Sequence, residues 1–553
     1  MKKFNHIFAL LAVSGSVMLT GCIDETVPLS STATAEQVGE SSAALEGLVN
    51  GIPAKMSQGY LVYGDQVHET DMAYPALMIS QTEMLGDMYP LGTNAGYDWY
   101  RQYNTFENFT ENTYFSYLTW FTLYQLVKSC NDVIGTVDVT DESLPLPNRG
   151  LGVTALTIRA FNYYMLTVLF EPKANDYTDC SKVLGLTVPI VDENTVGDAA
   201  KNNPRVKHED MIKFILSDLD KAEAVFKAGY TPASKLVPNL AVVYGIKAKV
   251  YLWDEDYANA AKYARLAIDE SKATPVTEAQ WLDLNTGFNT ANQAWMWYIH
   301  YDSENMGNLC NFIGWMSGEA DWGYSSLTRP GIDKSLYDKI GTQDFRKHTF
   351  LDPAKYDYFD YQTCRGRDYI EDAPAYLSLK FRCRNGEWGD YSVGAAVDVP
   401  VMRVEEMYLI EAEAVGASQN VAAGVNLLSN FMKTYRNPAY NFTTSDLRTF
   451  QLEVLTQMRI EFWGEGNAFP SAKRLQPGIM QNYAGTNAPS NIFKVNCKGM
   501  KPNWNIPIPN YELESNMGIP RELNNPDASR KFKIPSPEGQ YSDPNDVPEP
   551  ASK

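Results

Sequence analysis

The chain has 553 residues and a formal net charge of −20, with 67 acidic side chains against 47 basic ones. A protein this acidic lacks the basic face that a phosphate backbone requires, which argues against nucleic acid and anionic lipid surfaces as partners. The length is sufficient for a large buried core.

The chain begins with the pattern of a secretory signal, MKKFNHIFALLAVSGSVMLTGC. Lys2 and Lys3 precede an apolar run from Ile7 to Leu19, which is short for a bilayer-spanning helix. The run leads into Cys22 in a sequence typical of a bacterial lipobox, where the cysteine is acylated and becomes the new N-terminus. We therefore predict a signal peptide over residues 1–21, lipidation at Cys22, and membrane contact only through the lipid anchor. The alternative is an ordinary signal followed by a chance cysteine.

Two features follow the predicted lipidation site. Residues 22–40 are polar, small and poor in aromatic side chains, which predicts a flexible lipidated tether.

Six further cysteines are scattered without any C-x-x-C spacing, so we expect free buried thiols. A disulfide between Cys364 and Cys383 is the alternative, since an exported protein meets an oxidising compartment.

Helical patterns dominate the chain after the tether. Apolar residues recur with helical spacing over 112–134, 153–172 and 208–230. This spacing places an apolar stripe on each segment, and Pro172 ends the second. These three segments are predicted to be amphipathic helices of a mainly α fold.

A helix pair over 244–269 is the clearest structural unit in the sequence. Small residues at Ala260, Ala264 and Ala267 would let two antiparallel helices approach closely. The segment resembles a tetratricopeptide unit, and residues 404–436 predict a second pair. Because such units do not repeat at a fixed period, we predict tetratricopeptide-like helix pairs in a scaffold with long irregular loops and a few short strands.

Residues 281–324 differ from the helical parts, because they hold five of the eleven tryptophans among Asn, Gly, Asp and Ser. Within them, WMWYIHY alternates as a strand does. One side would carry Trp295, Trp297, Ile299 and Tyr301, and the other Met296, Tyr298 and His300. Loop aromatics on a rigid scaffold are typical of binding surfaces.

Several segments together resemble the SusD/RagB family of surface glycan-binding lipoproteins. After the lipobox they follow the family's order: TALTIRAFNYYMLTVLFEP (154–172), the helix pair at 247–269, VMRVEEMYLIEAEA (401–414), RIEFWGEGNAFPSAKRL (459–475), and NWNIPIPNYELESN with NNPD (503–527). The resemblance covers nearly the whole mature chain. It implies a single SusD-like domain over residues 41–553, with glycan-binding loop insertions at about 85–107 and 281–400.

The charged residues in these signatures have a structural explanation that we favour. Charges within helices that pack together form ion pairs more often than they bind ligands. We expect such pairing for Arg403, Glu406, Arg459, Glu461, Glu465 and Arg474. Ala468 and Ser471 stand where the family has Arg and Asp. The ion pairing that the family forms in segment 459–475 is therefore in doubt at these two positions.

Aromatic loop residues are the candidates for ligand contact. Sugar rings pack their C–H faces on flat aromatic rings, while carboxylate, amide and guanidinium groups bind the hydroxyls. Residues 97–106, YDWYRQYNTF, supply both kinds of group, and the resemblance implies that this region contributes aromatics to the glycan site. The predicted site comprises Trp99, Tyr97, Tyr100, Asn104, Tyr298, Trp315, Trp322, Asp321 and Arg382. The alternative for each tryptophan is a core position, which we expect for Trp120 and Trp253.

The resemblance implies a non-enzymatic role at the outer-membrane cell surface. The protein would capture oligosaccharides and deliver them to a SusC-like TonB-dependent transporter, acting as a lid over its mouth. Asp98, Asp321 and Asn311 with few lysines among the candidate loops favour a neutral glycan, such as an α-glucan or fructan.

Other function classes have less support in the sequence. It contains no H-E-x-x-H, no G-x-S-x-G and no phosphate-binding loop, and no metal-ligand spacing stands out, so no cofactor is expected. A surface glycoside hydrolase remains an alternative, because sequence does not reveal the separation of two carboxylates. The other alternative is a helical protein-interaction scaffold without a glycan site.

Overall fold

The structure is a computed structural model. It describes residues 38, 41–59, 72–92, 109–306, 309–354, 363–490 and 493–528. The signal peptide and Cys22 lie outside the described residues, as does the tether apart from Val38.

The described chain is mainly helical, and its strands are short, as predicted. The helices are α1 Ser42–Ser57, α2 Tyr74–Leu85, α3 Tyr114–Ile134, α4 Leu146–Phe170, α5 Asp198–Lys201, α6 His208–Lys227, α7 Leu240–Trp253, α8 Tyr257–Ser271, α9 Glu278–Trp281, α10 Phe312–Met316, α11 Ser325–Thr328, α12 Lys334–Tyr337, α13 Arg367–Asp372, α14 Tyr391–Gly394, α15 Val404–Ser418, α16 Val421–Tyr435, α17 Leu447–Glu461, α18 Phe469–Leu475 and α19 Asn510–Ser515. The strands are β1 Met88–Pro90, β2 Trp295–His300, β3 Pro330–Ile332, β4 Asp398–Arg403, β5 Ile479–Met480 and β6 Asn496–Cys497. They pair antiparallel as β1–β3, β2–β4 and β5–β6.

Helix α4 lies at the centre of the helical scaffold, where it packs against α1, α3, α6 and α7. Every residue from Gly150 to Phe170 is buried. The sequence predicted one buried apolar stripe over 153–172, whereas the structure buries all sides of the helix. By length and composition α4 is apolar enough to cross a membrane, yet its whole apolar stretch lies inside the protein. It is the core helix around which the others are arranged.

Side chains from distant parts of the chain cap the C-terminal end of α4. Lys473 Nζ donates to the carbonyls of Val168 at 2.8 Å and Leu169 at 3.1 Å. The Phe170 carbonyl accepts from Arg205 Nη2 at 3.1 Å and from Asn525 Nδ2 at 2.7 Å. The last carbonyls of a helix have no partner within it, so these bonds satisfy groups that burial would otherwise leave unpaired.

The two predicted helix pairs are confirmed. Helices α7 and α8 pack against each other, with Ala260, Ala264 and Ala267 fully buried on α8. Helices α15 and α16 form the second pair, and α8 packs on α15, so the two pairs stack as neighbouring units do in a helical repeat protein.

Eight buried charged residues, which we name the charge network, join the 281–400 insertion to the helical scaffold: Asp344, Arg346, Lys380, Arg403, Glu405, Arg436, Glu461 and Glu465. Glu461 accepts hydrogen bonds from Arg436 at 2.8 Å and Arg346 at 3.0 Å, and Glu465 accepts one from Lys380 at 2.6 Å. Four positive charges face four negative ones, which is how ions are accommodated in a protein interior.

The expectation that the signature charges form structural ion pairs is therefore confirmed. Arg403, Glu461 and Glu465 belong to the charge network. The other signature pairs are Lys249–Glu406, Asp87–Arg459 and Glu413–Arg474.

The strand predicted in WMWYIHY is confirmed as β2, paired with β4. Trp295, Trp297 and Ile299 are buried, while Tyr298 is half-buried and His300 is exposed. Met296 departs from the predicted alternation because it is buried as well. All six described cysteines are free thiols, so the alternative disulfide between Cys364 and Cys383 is not formed.

Candidate functional site

Two segments of the insertion, residues 309–328 and 363–395, meet at the surface around the buried side chain of Glu319. Its carboxylate accepts hydrogen bonds from Arg382 Nη1 at 2.7 Å and from the Cys364 backbone N–H at 3.0 Å. Its backbone carbonyl accepts from Arg365 Nη1 at 3.3 Å. Glu319 therefore holds the second segment on the first and fixes the start of the stretch that carries Arg365.

Glycine allows the backbone to pack closely within each segment and, at Gly394, against the other segment. Gly323 has φ of +59°, and a Cβ there would lie 1.8 Å from the Leu309 carbonyl oxygen. A Cβ on Gly394 would lie 2.0 Å from the Glu387 carbonyl oxygen and 2.6 Å from the ring of Trp322. Backbone runs too close to backbone at both places for any side chain, so these glycines set the shape of the surface.

Arg365, Tyr369 and Trp388 form an aromatic platform on this surface. The Arg365 guanidinium carbon lies 4.2 Å from the ring centroid of Tyr369 and 4.4 Å from that of Trp388. The carboxylate of Asp321 lies 3.5 Å from Arg365 Nη1, and the Asp321 backbone N–H donates to the Trp388 carbonyl at 2.9 Å. Cation–π contacts of this kind order the rings and the guanidinium together.

Exposure distinguishes Trp388 from the other tryptophans. Of the ten within the described residues, nine are buried and Trp388 is half-buried. Tyr369 is also half-buried, and the side chain of Asp321 is 49% exposed. The platform thus offers aromatic surface, a cation and a carboxylate to the solvent side by side.

The hydroxyl of Tyr369 is a fixed donor. It hydrogen-bonds the Gly318 carbonyl of the first segment. Burial raises the pKa of Tyr369 to about 12, so the hydroxyl keeps its proton at neutral pH. This bond ties α13 to the segment that carries Asp321.

Three of the predicted site residues are buried and do not belong to the platform. Trp315 is 4% exposed, and its ring stacks on Tyr324 with centroids 4.2 Å apart. Trp322 is 5% exposed, with Nε1 donating to Asn311 Oδ1 at 3.4 Å. Arg382 is buried in its ion pair with Glu319. In this structure the three contact other protein groups, and a direct glycan contact from them stays a prediction.

Tyr298 and Asp321 occupy different places. Asp321 belongs to the platform, as described above. Tyr298 lies on β2, with its ring centroid 6.3 Å from that of Trp295. None of the ring contacts among the described residues joins Tyr298 to the platform, so the structure does not bring these two predicted residues together.

The remaining predicted residues, Tyr97, Trp99, Tyr100 and Asn104, lie outside the described residues. The described chain before them ends at the first segment, where the backbone N–H of Gly92 donates to the Thr328 carbonyl at 2.6 Å. Leu91 likewise donates to the Arg329 carbonyl at 3.0 Å. The last described residues before the predicted glycan loop are therefore hydrogen-bonded at the end of the segment that carries Asp321.

Sequence reasoning missed Arg365, Tyr369 and Trp388. Trp388 stands in LKFRCRNGEWGDY, the stretch from which we selected Arg382. A tryptophan between glycines and acidic residues is a signal for an exposed ring, because such a stretch forms loops rather than core elements. The contact of Arg365 with Trp388 has no local signal, because 23 residues separate the two side chains in the sequence.

Two carboxylates at this surface, those of Asp321 and Glu319, are both paired with arginines. Among the described residues, no group of three or more His, Cys, Asp or Glu side chains is placed to hold a metal ion. Glycoside hydrolysis uses two carboxyl groups about 5–10 Å apart, one of them acting as an acid. Here Asp321 is paired with Arg365, and Glu319 is buried against Arg382.

Comparison with known proteins identifies the fold. A SusD-like carbohydrate-binding protein from Bacteroides vulgatus aligns over 87% of this chain and 98% of its own, with 18% identity and a TM-score of 0.67. A putative sugar-binding protein from the same organism aligns over 88% and 98%, with 20% identity and a TM-score of 0.65. Surface glycan-binding protein A from Bacteroides thetaiotaomicron aligns over 88% and 99%, with 17% identity and a TM-score of 0.60.

No family model and no curated protein matches the sequence. The structural matches nevertheless span nearly the whole length of each neighbour. The chain therefore has the SusD-like fold, and the resemblance seen in its sequence motifs is confirmed at the level of the fold.

Proposed function

We propose that this protein is a non-catalytic, lipid-anchored glycan-binding protein of the outer-membrane surface. It captures oligosaccharides and delivers them to a SusC-like TonB-dependent transporter. The observation that carries the proposal is the aromatic platform, where half-buried Tyr369 and Trp388 flank the Arg365–Asp321 pair. Structural neighbours that are described as carbohydrate-binding or glycan-binding support the same role.

The platform has the chemistry that a sugar requires. The C–H face of a pyranose or furanose ring packs on indole or phenol, while guanidinium and carboxylate groups donate to and accept from its hydroxyls. Arg365 and Asp321 neutralise each other, so the platform adds no net charge. This balance favours a neutral glycan such as an α-glucan or fructan.

The remaining parts of the chain complete the proposal. Acylation at Cys22 holds the protein at the membrane, and the tether over residues 22–40 lets the domain open and close over the transporter. Trp99, Tyr97, Tyr100 and Asn104 follow Gly92 in the sequence and lie outside the described residues, and we propose that they add further glycan contacts. Arg382 holds the buried Glu319 carboxylate, which also accepts from the Cys364 N–H next to Arg365, while Trp315 and Trp322 are buried nearby in the sequence of the first segment.

Calorimetric titration of the soluble protein from residue 23 onward, against neutral and acidic polysaccharides, tests the proposal. We expect binding heat with a neutral glycan and no new reducing ends in the same samples. Binding without cleavage is the expected outcome for a capture protein. The absence of binding to any glycan would favour the protein-interaction scaffold, and released sugars would indicate a hydrolase.

Substitution of the platform locates the site. Trp388→Ala should lower glycan affinity by about tenfold or more, because aromatic anchors dominate binding energy, with little change in melting temperature. Tyr435→Ala removes a half-buried aromatic from α16, outside the insertion, and should leave affinity unchanged. Equal losses in the two variants would contradict the assignment of the platform.

A second variant tests the predicted loop. Trp99→Ala should lower glycan affinity by more than about tenfold without lowering the melting temperature. Wild-type affinity in this variant would show that Trp99 does not contact the glycan. The assignment of the platform would still depend on Trp388→Ala.

A further inference from the structure

A second group of surface aromatic rings lies on the helical scaffold, where α3 meets α19. We name it the aromatic ladder, and it consists of Tyr117, Phe121 and Tyr511. The rings of Tyr117 and Phe121 are nearly parallel, at 15° with centroids 5.7 Å apart, because residues four apart share one face of a helix. The Tyr511 ring meets that of Tyr117 edge-on, with centroids 4.7 Å apart. The aromatic ladder shares no residue with the platform.

The aromatic ladder is partly open to solvent. Each of its three side chains is half-buried and packs against the main hydrophobic core. Phe115 and Trp120 on the same helix are buried, so α3 separates its core rings from these outer ones. The outer rings are therefore held by the core while part of their surface can be contacted by a ligand.

Polar side chains lie beside the aromatic ladder. The Asn510 N–H, next to Tyr511, donates to the Glu111 carbonyl at 2.8 Å, which brings the start of α19 to the turn before α3. Arg521 Nη1 donates to Glu111 Oε1 at 2.6 Å, and Asn510 Nδ2 donates to Glu514 Oε1 at 2.8 Å. The Arg521, Glu111 and Glu514 side chains are 53%, 32% and 63% exposed. These groups offer hydrogen-bond donors and acceptors to solvent close to the rings.

This combination fits a neutral sugar better than it fits a protein or an anion. The core of a protein interface is depleted in glutamate, whereas two glutamates lie beside these rings. Their two carboxylates outnumber the one guanidinium, so an anionic ligand would be repelled. A sugar matches both parts, because its C–H face packs on aromatic rings and its hydroxyls exchange hydrogen bonds with carboxylate, amide and guanidinium groups.

We propose that the aromatic ladder is a second glycan-binding site, which takes a neutral sugar chain. The rings of Tyr117 and Phe121 pack on the sugar, while Arg521 and Glu514 bind its hydroxyls. The inference rests on the proposed glycan-binding function and adds a site that this function does not require. Two sites on one protein raise the avidity for a polysaccharide long enough to reach both, because the second contact becomes intramolecular.

Calorimetric stoichiometry with short oligosaccharides tests the inference on the protein from residue 23 onward. The probes are maltoheptaose, an α-glucan, and an inulin heptamer, a fructan. We expect the wild type to bind one of them at two molecules per protein. Tyr117→Ala and Trp388→Ala should each remove one of the two, since loss of an aromatic anchor weakens its site by about tenfold or more. The double variant should bind neither.

Controls separate binding from folding. Tyr251→Ala removes a half-buried tyrosine whose ring stacks on that of Tyr263 with centroids 5.5 Å apart, and it should keep both sites. Tyr117 also packs on the core, so Arg521→Gln provides a second variant that removes only an exposed guanidinium. It should weaken the same site by about threefold to tenfold, the size expected for one hydrogen bond.

The outcomes distinguish this inference from the proposed function. A single wild-type site that Trp388→Ala removes and Tyr117→Ala spares would overturn the second site, favour a protein contact for the aromatic ladder, and leave the platform intact. A site that persists in Trp388→Ala and disappears in Tyr117→Ala would support the aromatic ladder by itself. No binding of either heptamer to the wild type would count against both sites.

Discussion

Replacing Glu461 with glutamine removes one negative charge from the charge network. The carboxylate is fully buried and accepts from Arg436 Nε and Nη2, both at 2.8 Å, from Arg346 at 3.0 Å and from Arg403 at 3.2 Å. Burial alone would raise the pKa of Glu461, but the three guanidinium groups hold it far below its usual range. Glu461 is therefore ionised throughout the working pH range, and Glu461→Gln leaves four buried cations facing three anions.

The expected cost follows from that imbalance. Removing one partner of a buried ion pair costs about 3–5 kcal/mol, because the remaining charge stays buried without compensation. A whole domain is stable by only about 5–15 kcal/mol, so the loss should be a large fraction of the total. The amide also turns an N–H group toward guanidinium donors, which adds to the cost rather than offsetting it.

Denaturant unfolding of the wild type and variants measures the change in the free energy of unfolding. Glu209→Gln is the control, since Glu209 is exposed and lies 3.8 Å from Lys207, where a surface pair contributes at most about 1 kcal/mol. Arg436→Met combined with Glu461→Gln restores the balance of charges and should be less destabilised than the sum of the single variants. A loss below about 1 kcal/mol for Glu461→Gln, or additive losses in the double variant, would refute the argument from charge balance.

Two further predictions concern a histidine and a pair of glycines. Hydrogen bonds to Asp254 and Glu171 raise the pKa of His208 to about 9. The protonated imidazole therefore contributes fully to the stability of the folded protein below the unfolded pKa of about 6.5. This contribution is lost as the pH rises through about 9. The difference in melting temperature between wild type and His208→Gln should shrink over that range, and a difference independent of pH would contradict this. Gly323→Ala should lower the free energy of unfolding at least twice as much as Gly185→Ala. Both glycines have positive φ, so both substitutions strain the backbone. Only at Gly323 would the new Cβ also clash with a carbonyl oxygen, because nothing lies within 4 Å of a Cβ at Gly185. Equal losses of unfolding free energy would show that the close packing at Gly323 relaxes freely.

The helical scaffold was predictable because its signals are local. The alanines of α8 have the spacing of a close helix contact, and the alternation in WMWYIHY gave the strand that pairs with β4. Helix α4 was predicted as a helix but not as a fully buried one. Its sequence resembles that of an amphipathic helix, and only the packing of four neighbours shows that all its sides are covered.

The site was less predictable because composition does not separate a buried tryptophan from an exposed one. Trp315 and Trp322 belong to a stretch rich in small and polar residues, yet Trp315 lies on the short helix α10 against Tyr324, and Trp322 is buried with its indole N–H donated to Asn311. Asp321, predicted as a glycan contact, is exposed at the surface, while its partner Arg365 lies 44 residues later in the chain. Contacts between segments so far apart leave no periodic pattern for sequence reasoning to use.

The capping of α4 has a consequence for when the chain can finish folding. The Phe170 carbonyl receives a hydrogen bond from Asn525, across 355 residues of chain. A growing chain that has not yet produced Asn525 and Lys473 cannot close the end of its central helix, and contacts so distant in sequence slow folding. Export before folding, which the predicted signal peptide implies, would be favoured by that delay, since the long apolar helix α4 stays without its caps until translation is almost finished.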